Sequence, residues 1–225
     1  MSEAVSDADR LSLARQYAPA TERNREPILA VLAQVLPPTG TILETASGTG
    51  QHAAYFAPRL MPRYWLPSDP QPLLRASIQA WAETAASDRL LSPVALDVSA
   101  PRWPVEAASF QDRLTAQGAP AIAAIVNINM IHISPWQACL GLLAGASRIL
   151  PAAGVLYLYG PYQRQGRHTA PSNAAFDKQL RSQNPAWGVR SLEAVTAAAE
   201  AQQLQLQTVV EMPANNLSVV FAKKS

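Results

Sequence analysis

The sequence predicts an α/β fold in which helices cover both faces of a mostly parallel sheet. Short apolar runs alternate along the chain with longer segments of helical spacing, as expected for parallel strands joined by crossover helices. The last two apolar runs, 204–212 and 217–222, are separated only by the turn-forming segment 213–216, which is too short for a crossover helix. They therefore predict an antiparallel hairpin at the end of an otherwise parallel sheet.

Seven strands are predicted, each a short run rich in apolar and β-branched residues. Their ranges are 41–45, 64–67, 94–98, 121–129, 154–159, 204–212 and 217–222. Helices are expected after Asp69-Pro70, at Ser134-Pro135 with the proline as the first helical residue, and after a capping Ser191. Residues 1–36 are predicted to form a helical N-terminal arm or cap, and residues 37–225 a single structural unit.

The composition is that of an ordinary globular chain. Its 225 residues are enough for one buried core, and 48% hydrophobic and 15% charged residues are typical of a folded domain. A net charge of +2 without clustered Lys or Arg argues against a nucleic-acid partner. The single cysteine excludes an internal disulfide, and neither a signal peptide nor a membrane-spanning run is apparent. These features predict a cytoplasmic protein with no membrane partner.

The loop after the first predicted strand reads Ala46-Ser47-Gly48-Thr49-Gly50. Open α/β sheets bind ligands at the carboxyl ends of their strands, so a nucleotide-like ligand is expected at this loop. Gly48, Gly50 and Ala53 also satisfy GxGxx(G/A), the pattern of dinucleotide-binding loops. An NAD(P)-dependent oxidoreductase is therefore one alternative, although no Tyr-x-x-x-Lys or similar hydride-transfer set accompanies the loop.

Three carboxylates end successive predicted strands and favour a different ligand. Glu44 directly precedes the loop, where an anion repels a pyrophosphate but attracts an ammonium or sulfonium group. Asp69 is placed to accept hydrogen bonds from a ribose diol, and Asp97 from an adenine amino group. S-adenosylmethionine (SAM) carries an ammonium, a ribose and an adenine, so the three acids predict SAM as the cofactor.

The loop and its acid resemble the first motif of the class I SAM-dependent methyltransferases, E/D-x-G-x-G-x-G. Ala46 replaces the first glycine, and because alanine resists positive φ we expect an ordinary backbone conformation there. Further segments resemble one methyltransferase-like family, found from bacteria to animals and long described as a domain of unknown function: ATERNREPIL, SDP, NMIHISPW, YGPY, GRHTAPSNAAFD, NPAWGVR and EMPANN. The resemblance runs from about Tyr17 to Phe221. It implies a Rossmann-like, seven-stranded methyltransferase fold and SAM as cofactor.

In methyltransferases of this class, the loop after the fourth strand often contacts both cofactor and substrate. By this resemblance, Asn129 and Met130 offer backbone carbonyl groups to the ammonium of the cofactor. His132 is the candidate catalytic base, with a purely structural histidine as the alternative. The loop lacks the Asn-Pro-Pro-aromatic motif of enzymes that methylate nucleic-acid amino groups. The predicted cofactor-binding set is Glu44, Ala46, Ser47, Gly48, Gly50, Asp69, Asp97, Asn129 and Met130.

Three more segments are expected at the same end of the sheet: 17–24, 162–173 and 213–216. Loops at this position carry binding residues, and the basic residues Arg164, Arg167 and His168 suit an anionic group on the substrate. The predicted substrate residues are Tyr17, Arg23, Asn24, Tyr162, Arg167, His168, Asn173 and Asn215. No cluster of His, Cys and acidic residues has metal-ligand spacing, so no metal is predicted.

The sequence thus predicts an enzyme that transfers a methyl group from SAM to an oxygen or nitrogen nucleophile. A domain without a large basic face favours a small-molecule acceptor over nucleic acid. Because fold and cofactor do not fix activity, a non-catalytic SAM-binding regulatory or scaffold protein is a second alternative.

Overall fold

The computed structural model describes residues 14–85 and 87–224. Within them, the strands are β1 (Thr41–Thr45), β2 (Tyr64–Pro67), β3 (Ile122–Ile128), β4 (Val155–Arg164), β5 (Arg167–His168), β6 (Arg190–Ser191), β7 (Leu204–Met212) and β8 (Asn216–Lys223). The helices are α1 (Pro19–Val35), α2 (Gln51–Phe56), α3 (Pro72–Ala82), α4 (Ala108–Ala116), α5 (Trp136–Ile149), α6 (Pro171–Gln183) and α7 (Leu192–Ala201). Residues 1–13 of the predicted N-terminal arm lie outside the described residues.

The strands form one mixed sheet with the order β2-β1-β3-β4-β8-β7. The first four strands of this order are parallel, whereas β8 runs antiparallel to both β4 and β7. The predicted C-terminal hairpin is therefore confirmed. The two-residue strands β5 and β6 both pair with the far end of β4, which extends beyond the main sheet. This architecture confirms the predicted α/β fold.

The predicted strand 94–98 does not form. The chain beside β2 makes only two isolated parallel bridges, one from Leu90 to Trp65 of β2 and one from Val94 to Ser68 directly after it. Pro67 in β2 and Pro93 in the neighbouring segment have no N–H group to donate, which interrupts the ladder between the two bridges. Beyond Ser68, the partner of Val94, the chain turns away towards α3, so β2 offers no further partner to residues 95–98. This edge of the sheet is consequently an irregular segment in the position of a strand.

Helices cover both faces of the sheet, as predicted. On one face α1 and α2 bury Leu32 and Phe56 against the sheet, and on the other α4, α5 and α7 bury Phe110, Leu142 and Val195. Side chains alternate between the faces along each strand, which is why neighbouring residues of β1 belong to different halves of the core. The sheet is thus buried on both sides.

Two predicted helix starts can be compared with the structure. Ser191 caps α7, because its Oγ atom accepts a hydrogen bond from the Ala194 N–H at 3.2 Å. Pro135 precedes α5 at the cap position instead of being its first residue, so the predicted start of the helix was one residue too early. Ser134 does not cap the helix, since its hydroxyl donates to the Met130 carbonyl oxygen at 3.0 Å.

Candidate functional site

The loop after β1 follows a left-handed backbone path at three positions. Ala46 has φ +52°, Gly48 +57° and Gly50 +89°, so the expectation of an ordinary conformation at Ala46 was wrong. Hydrogen bonds fix this path: the Ser47 N–H donates to the Ser68 carbonyl at 2.8 Å, and the Gly50 N–H donates to the Ser47 carbonyl at 3.1 Å. The bonds of the loop override the preference of one alanine, whose left-handed conformation costs about 1–2 kcal/mol.

The two glycines of this loop have different surroundings. A Cβ atom at Gly50 would lie only 2.6 Å from the Cα atom of Ile78, so the loop packs directly against α3 at this point. A Cβ atom at Gly48 would meet nothing within 4 Å. The loop is therefore closed on the side of α3 and open at Gly48, where a ligand can approach the backbone.

Asp69 lies directly beside this loop. Its Oδ2 atom accepts from the Gly48 N–H at 3.2 Å, and its Oδ1 atom from the Gln71 N–H at 2.9 Å. Burial raises the pKa of Asp69, while these two hydrogen bonds and the Arg75 charge act in the opposite direction. The structure thus brings the acid of the second strand and the glycine loop into contact, and each carboxylate oxygen keeps a lone pair for a further donor.

Glu44 is 1% exposed and lies at the end of β1 on the face covered by α1 and α2. The indole Nε1–H of Trp65 donates to its Oε2 atom at 2.9 Å. The pKa of Glu44 is raised to about 7: burial raises it most, the hydrogen bonds from Trp65 and Ser47 lower it in part, and the neighbouring Asp69 charge adds to the rise. Glu44 is therefore a buried carboxyl group next to the loop, and its carboxyl group is hydrogen-bonded to the Trp65 indole.

Asp97 has a more exposed position than the other two acids. Its Oδ1 atom accepts from the Ser99 N–H at 2.8 Å, which is the arrangement of a turn-forming aspartate. In the part of the chain that the structure describes, no hydrogen bond joins Asp97 to the glycine loop. Its predicted contact with adenine stays a prediction.

His132 lies in the loop after β3 and is 3% exposed. Its ring packs edge-on against Phe176 of α6, with ring centroids 5.7 Å apart. Burial, with a smaller contribution from the Arg190 charge, lowers the pKa of His132 to about 4. The imidazole is therefore neutral at pH 7 and has one ring nitrogen able to accept a proton.

The other two predicted residues of this loop also lie at the carboxyl end of β3. Asn129 has φ +59°, and its N–H donates to the Tyr159 carbonyl at 2.9 Å. The Met130 carbonyl oxygen already accepts from the Ile133 N–H and the Ser134 hydroxyl, both at 3.0 Å. Asn129 is thus the better placed of the two to offer a carbonyl group to a cofactor ammonium.

The segment from β5 to β6 docks onto the His132 loop. The Gly188 N–H donates to the His132 carbonyl at 2.9 Å. The Arg190 guanidinium donates to the carbonyl groups of Ile131 and Ser134 at 3.0 and 2.6 Å. Sequence reasoning missed Arg190, because its partners lie more than fifty positions away along the chain.

Most of the basic side chains predicted to hold an anion have acidic partners instead. Arg164 pairs with Glu211 at 3.2 Å, and His168 Nε2 lies 3.6 Å from Asp177 Oδ2. Arg167, the remaining member, is exposed. The structure therefore leaves Arg167 as the better candidate of the three for an anionic group.

The other substrate candidates of this half of the chain are distributed between the surface and the core. Asn173 of α6 donates to the Asn215 carbonyl at 3.0 Å, which links α6 to the turn of the C-terminal hairpin. Asn215 itself is exposed. Tyr162 is 0% exposed and lies in the core on the side of α5, away from solvent.

The N-terminal segment lies across the start of α2 and along α3. Asn24 is buried, and its Oδ1 atom is 2.8 Å from His52 Nε2, whereas Tyr17 and Arg23 are exposed. The Ala18 N–H donates to the side-chain oxygen of Gln51, the residue that follows the glycine loop. Sequence reasoning missed Gln51, because its partner belongs to a segment with no strand of its own.

Two further properties concern the described residues only. They contain no group of three or more His, Cys, Asp or Glu side chains placed to hold a metal ion. None of the helices in the ranges 14–85 and 87–224 is both long and apolar enough to cross a membrane.

The fold and the loop geometry define a methyltransferase-like α/β domain. Similar solved structures include human N-acetylserotonin methyltransferase in complex with SAM, with a TM-score of 0.72 and 12% identity over 98% of this chain and 57% of that one. An O-methyltransferase family 2 protein from Planctomyces limnophilus, complexed with apigenin, has a TM-score of 0.68 and 19% identity over 96% and 62%. The SAH-bound form of CalO1, a methyltransferase in calicheamicin biosynthesis, has a TM-score of 0.66 and 16% identity over 92% and 55%.

This chain spans less than two thirds of each of these three structures, and identities at this level show a shared fold only. The family model described as "Protein of unknown function (DUF938)" matches residues 15–223. The chain therefore belongs to this family, which confirms the resemblance predicted from its motifs.

Proposed function

We propose that the protein is a SAM-dependent methyltransferase whose acceptor is an oxygen or nitrogen atom of a small molecule. The observation that carries the proposal is the contact between Asp69 and Gly48, in which the strand-end carboxylate accepts from the loop N–H at 3.2 Å. A carboxylate beside the open face of a glycine loop suits a ligand whose ribose hydroxyls lie against that loop.

SAM fits the residues present at this site. Gly48 leaves room for it above the loop, since a Cβ atom there would meet nothing within 4 Å. Asp69 accepts hydrogen bonds from the ribose, Asp97 from the adenine amino group, and Glu44 and the Asn129 carbonyl receive the ammonium. Two buried acids beside the loop disfavour the pyrophosphate of a dinucleotide, because like charges repel strongly where water is scarce.

Bound SAM supplies a methyl group that is already activated by a cationic sulfur. The chain's own residues then have to align the acceptor with that methyl group and exclude water. For a hydroxyl acceptor a base is also needed, and His132 is the candidate because it lies in the loop at the carboxyl end of β3 and its imidazole is neutral at pH 7. The burial that lowers its pKa to about 4 also weakens it as a base. With a hydroxyl acceptor, His132 would take the hydroxyl proton and pass it to solvent.

A hydroxyl group is the favoured acceptor. The similar structure from Planctomyces limnophilus is described as an O-methyltransferase family 2 protein and was solved with apigenin. Arg167 and the turn around Asn215 are proposed to contact the substrate at the rim of the site, since both are exposed near the end of β4. The N-terminal arm, residues 1–36, is proposed to cover the cofactor through Tyr17, Arg23 and Asn24.

The test is an unbiased turnover assay, in which the protein is incubated with methyl-labelled SAM and a small-molecule extract of cells. Label transferred to a metabolite supports the proposal. His132→Ala is expected to slow transfer at least about a hundredfold if the residue is the base. Thermal melting of His132→Ala is the control that separates loss of the base from loss of the fold. SAM binding without any turnover would instead favour a regulatory or scaffold role.

A further inference from the structure

Gly160 of β4 lies against both the His132 ring and the Asn129 side chain. A Cβ atom built on Gly160 would lie 3.0 Å from Cε1 and 3.1 Å from Nδ1 of His132, and 3.5 Å from Oδ1 of Asn129. The two contacts with His132 are tighter than usual for a methyl group, so a side chain at position 160 would push the imidazole by a few tenths of an ångström. The missing side chain of Gly160 thus leaves a small gap that is bordered by His132 and Asn129.

The imidazole presents an unpartnered polar atom at this gap. Among the described residues, Nδ1 of His132 is buried without a hydrogen-bond partner. A buried polar atom left in this state costs about 1–3 kcal/mol. A neutral imidazole carries its proton on one of its two nitrogens, and the partner of one nitrogen decides which. The Oδ1 atom of Asn129 is a pure acceptor, so it suits an Nδ1–H group.

We propose that Asn129 is the positioning residue of His132: its Oδ1 atom accepts the Nδ1–H proton, so that Nε2 keeps the lone pair that takes the proton of the methyl acceptor. The inference deepens the proposed function and rests on it, since an oriented base serves an enzyme that deprotonates its acceptor. The proposal requires the Asn129 amide to rotate towards the ring, and both atoms border the same position, since a Cβ atom on Gly160 would lie within 3.5 Å of each.

The backbone supports this assignment. Asn129 has φ +59°, a conformation that asparagine, aspartate and glycine adopt more readily than other residues. Its N–H donates to the carbonyl of Tyr159, the residue before Gly160, which holds the two strand ends together. Asparagine fixes a tautomer without adding a charge, so Arg190 of β6 remains the charged group that acts on the imidazole.

The tautomer of His132 is measurable in the full chain without any methyl acceptor. Long-range proton–nitrogen NMR of protein with isotope-labelled histidine separates the Nδ1–H and Nε2–H forms. The chain has three histidines, so His52→Gln and His168→Gln suffice to assign the signals. His52 is an internal reference, because its Nε2 atom lies 2.8 Å from Asn24 Oδ1 and is expected to carry the proton. His132 is expected to show the opposite form, Nδ1–H, at neutral pH.

Two substitutions at position 129 suit the left-handed backbone and change the acceptor. Asn129→Gly removes it, so His132 is expected to lose its preference for the Nδ1–H form. Asn129→Asp replaces it with an anion, so the pKa of His132 is expected to rise by about one unit or more. Gly160→Ala is expected to shift the His132 signals while those of His52 stay in place. Gln203→Gly, at φ +60° in a distant turn, is the matched control and leaves His132 unchanged.

A wild-type His132 that carries its proton on Nε2 overturns the inference. So does a His132 tautomer and pKa that stay the same in both Asn129 variants. These readouts are independent of turnover, so failure of the proposed function is recognised separately, by the absence of SAM binding or by full methyl transfer in His132→Ala. If the proposed function and the role of Asn129 are both correct, the acidic limb of the kcat/KM profile of Asn129→Asp moves to higher pH together with the pKa of His132.

Discussion

Alanine substitutions at the two glycines of the loop are expected to have different effects on stability and on binding. Both residues have positive φ, +57° at Gly48 and +89° at Gly50, which costs an alanine about 1–2 kcal/mol at either position. Alanine also lowers the conformational entropy of the unfolded chain, which offsets about 0.4–1 kcal/mol of this cost. Gly48→Ala meets no neighbour, so its net cost in unfolding free energy is about 1 kcal/mol.

Gly50→Ala incurs a further penalty, because its Cβ atom would lie 2.6 Å from the Cα atom of Ile78. A backbone atom cannot move aside as a flexible side chain can, and overpacking of this kind adds about 1–3 kcal/mol. The total loss of unfolding free energy is therefore about 2–4 kcal/mol for Gly50→Ala. Urea denaturation with a common slope for all variants measures both values.

The order of effects reverses for ligand binding. The Cβ atom of Gly48→Ala points into the open space proposed for the cofactor, so SAM affinity is expected to fall about tenfold or more in a protein that is still folded. Equal stability losses in the two variants would refute the packing argument for Gly50. An unchanged SAM affinity in Gly48→Ala would refute the placement of the ligand above the loop.

Three further expectations concern single residues. Ala46→Gly removes the left-handed strain at φ +52° and is expected to raise the unfolding free energy by about 0.5 kcal/mol, measured by urea denaturation; a clear loss of stability would contradict it. Glu44 has a pKa of about 7 in the fold against 4.5 when unfolded, so the folded state holds its proton more tightly and the wild type loses stability as pH rises from 4.5 to 7. Glu44→Gln should show a flatter stability profile over this range, and parallel profiles would argue against a buried proton. Ser191→Ala removes the cap of α7 and should cost about 1 kcal/mol; thermal melts that coincide with wild type would speak against the cap.

Features with a local cause could be predicted from the sequence. The C-terminal hairpin followed from a connection too short for a helix, and the cap at Ser191 from one polar residue before an apolar stripe. The strand at 94–98 looked equally regular by pattern. It failed because the neighbouring chain bridges Val94 at Ser68 and then turns away towards α3, so β2 offers no further partner to residues 95–98; that effect requires the pairing partner and register to be known.

Features that depend on distant partners could not be predicted. The conformation of Ala46 is set by the hydrogen bond from the Ser47 N–H to the carbonyl of Ser68, the residue directly after β2. The indole partner of Glu44 depends on the register of β1 and β2, and the contacts of Arg190 depend on how the segment from β5 to β6 folds back. The candidate site thus combines a loop that the motif identifies with supporting residues that only the fold reveals.

Calorimetric titration of the wild type and of Asp69→Asn with SAM, S-adenosylhomocysteine and NAD(H) tests the central claim most directly. The wild type is expected to bind both adenosyl ligands and not the dinucleotide. In Asp69→Asn, affinity for the adenosyl ligands falls about tenfold or more, and it stays at the wild-type value in the control Asp88→Asn, whose side chain is exposed. Binding of the dinucleotide alone, or SAM binding that is the same in wild type and Asp69→Asn, would contradict the account.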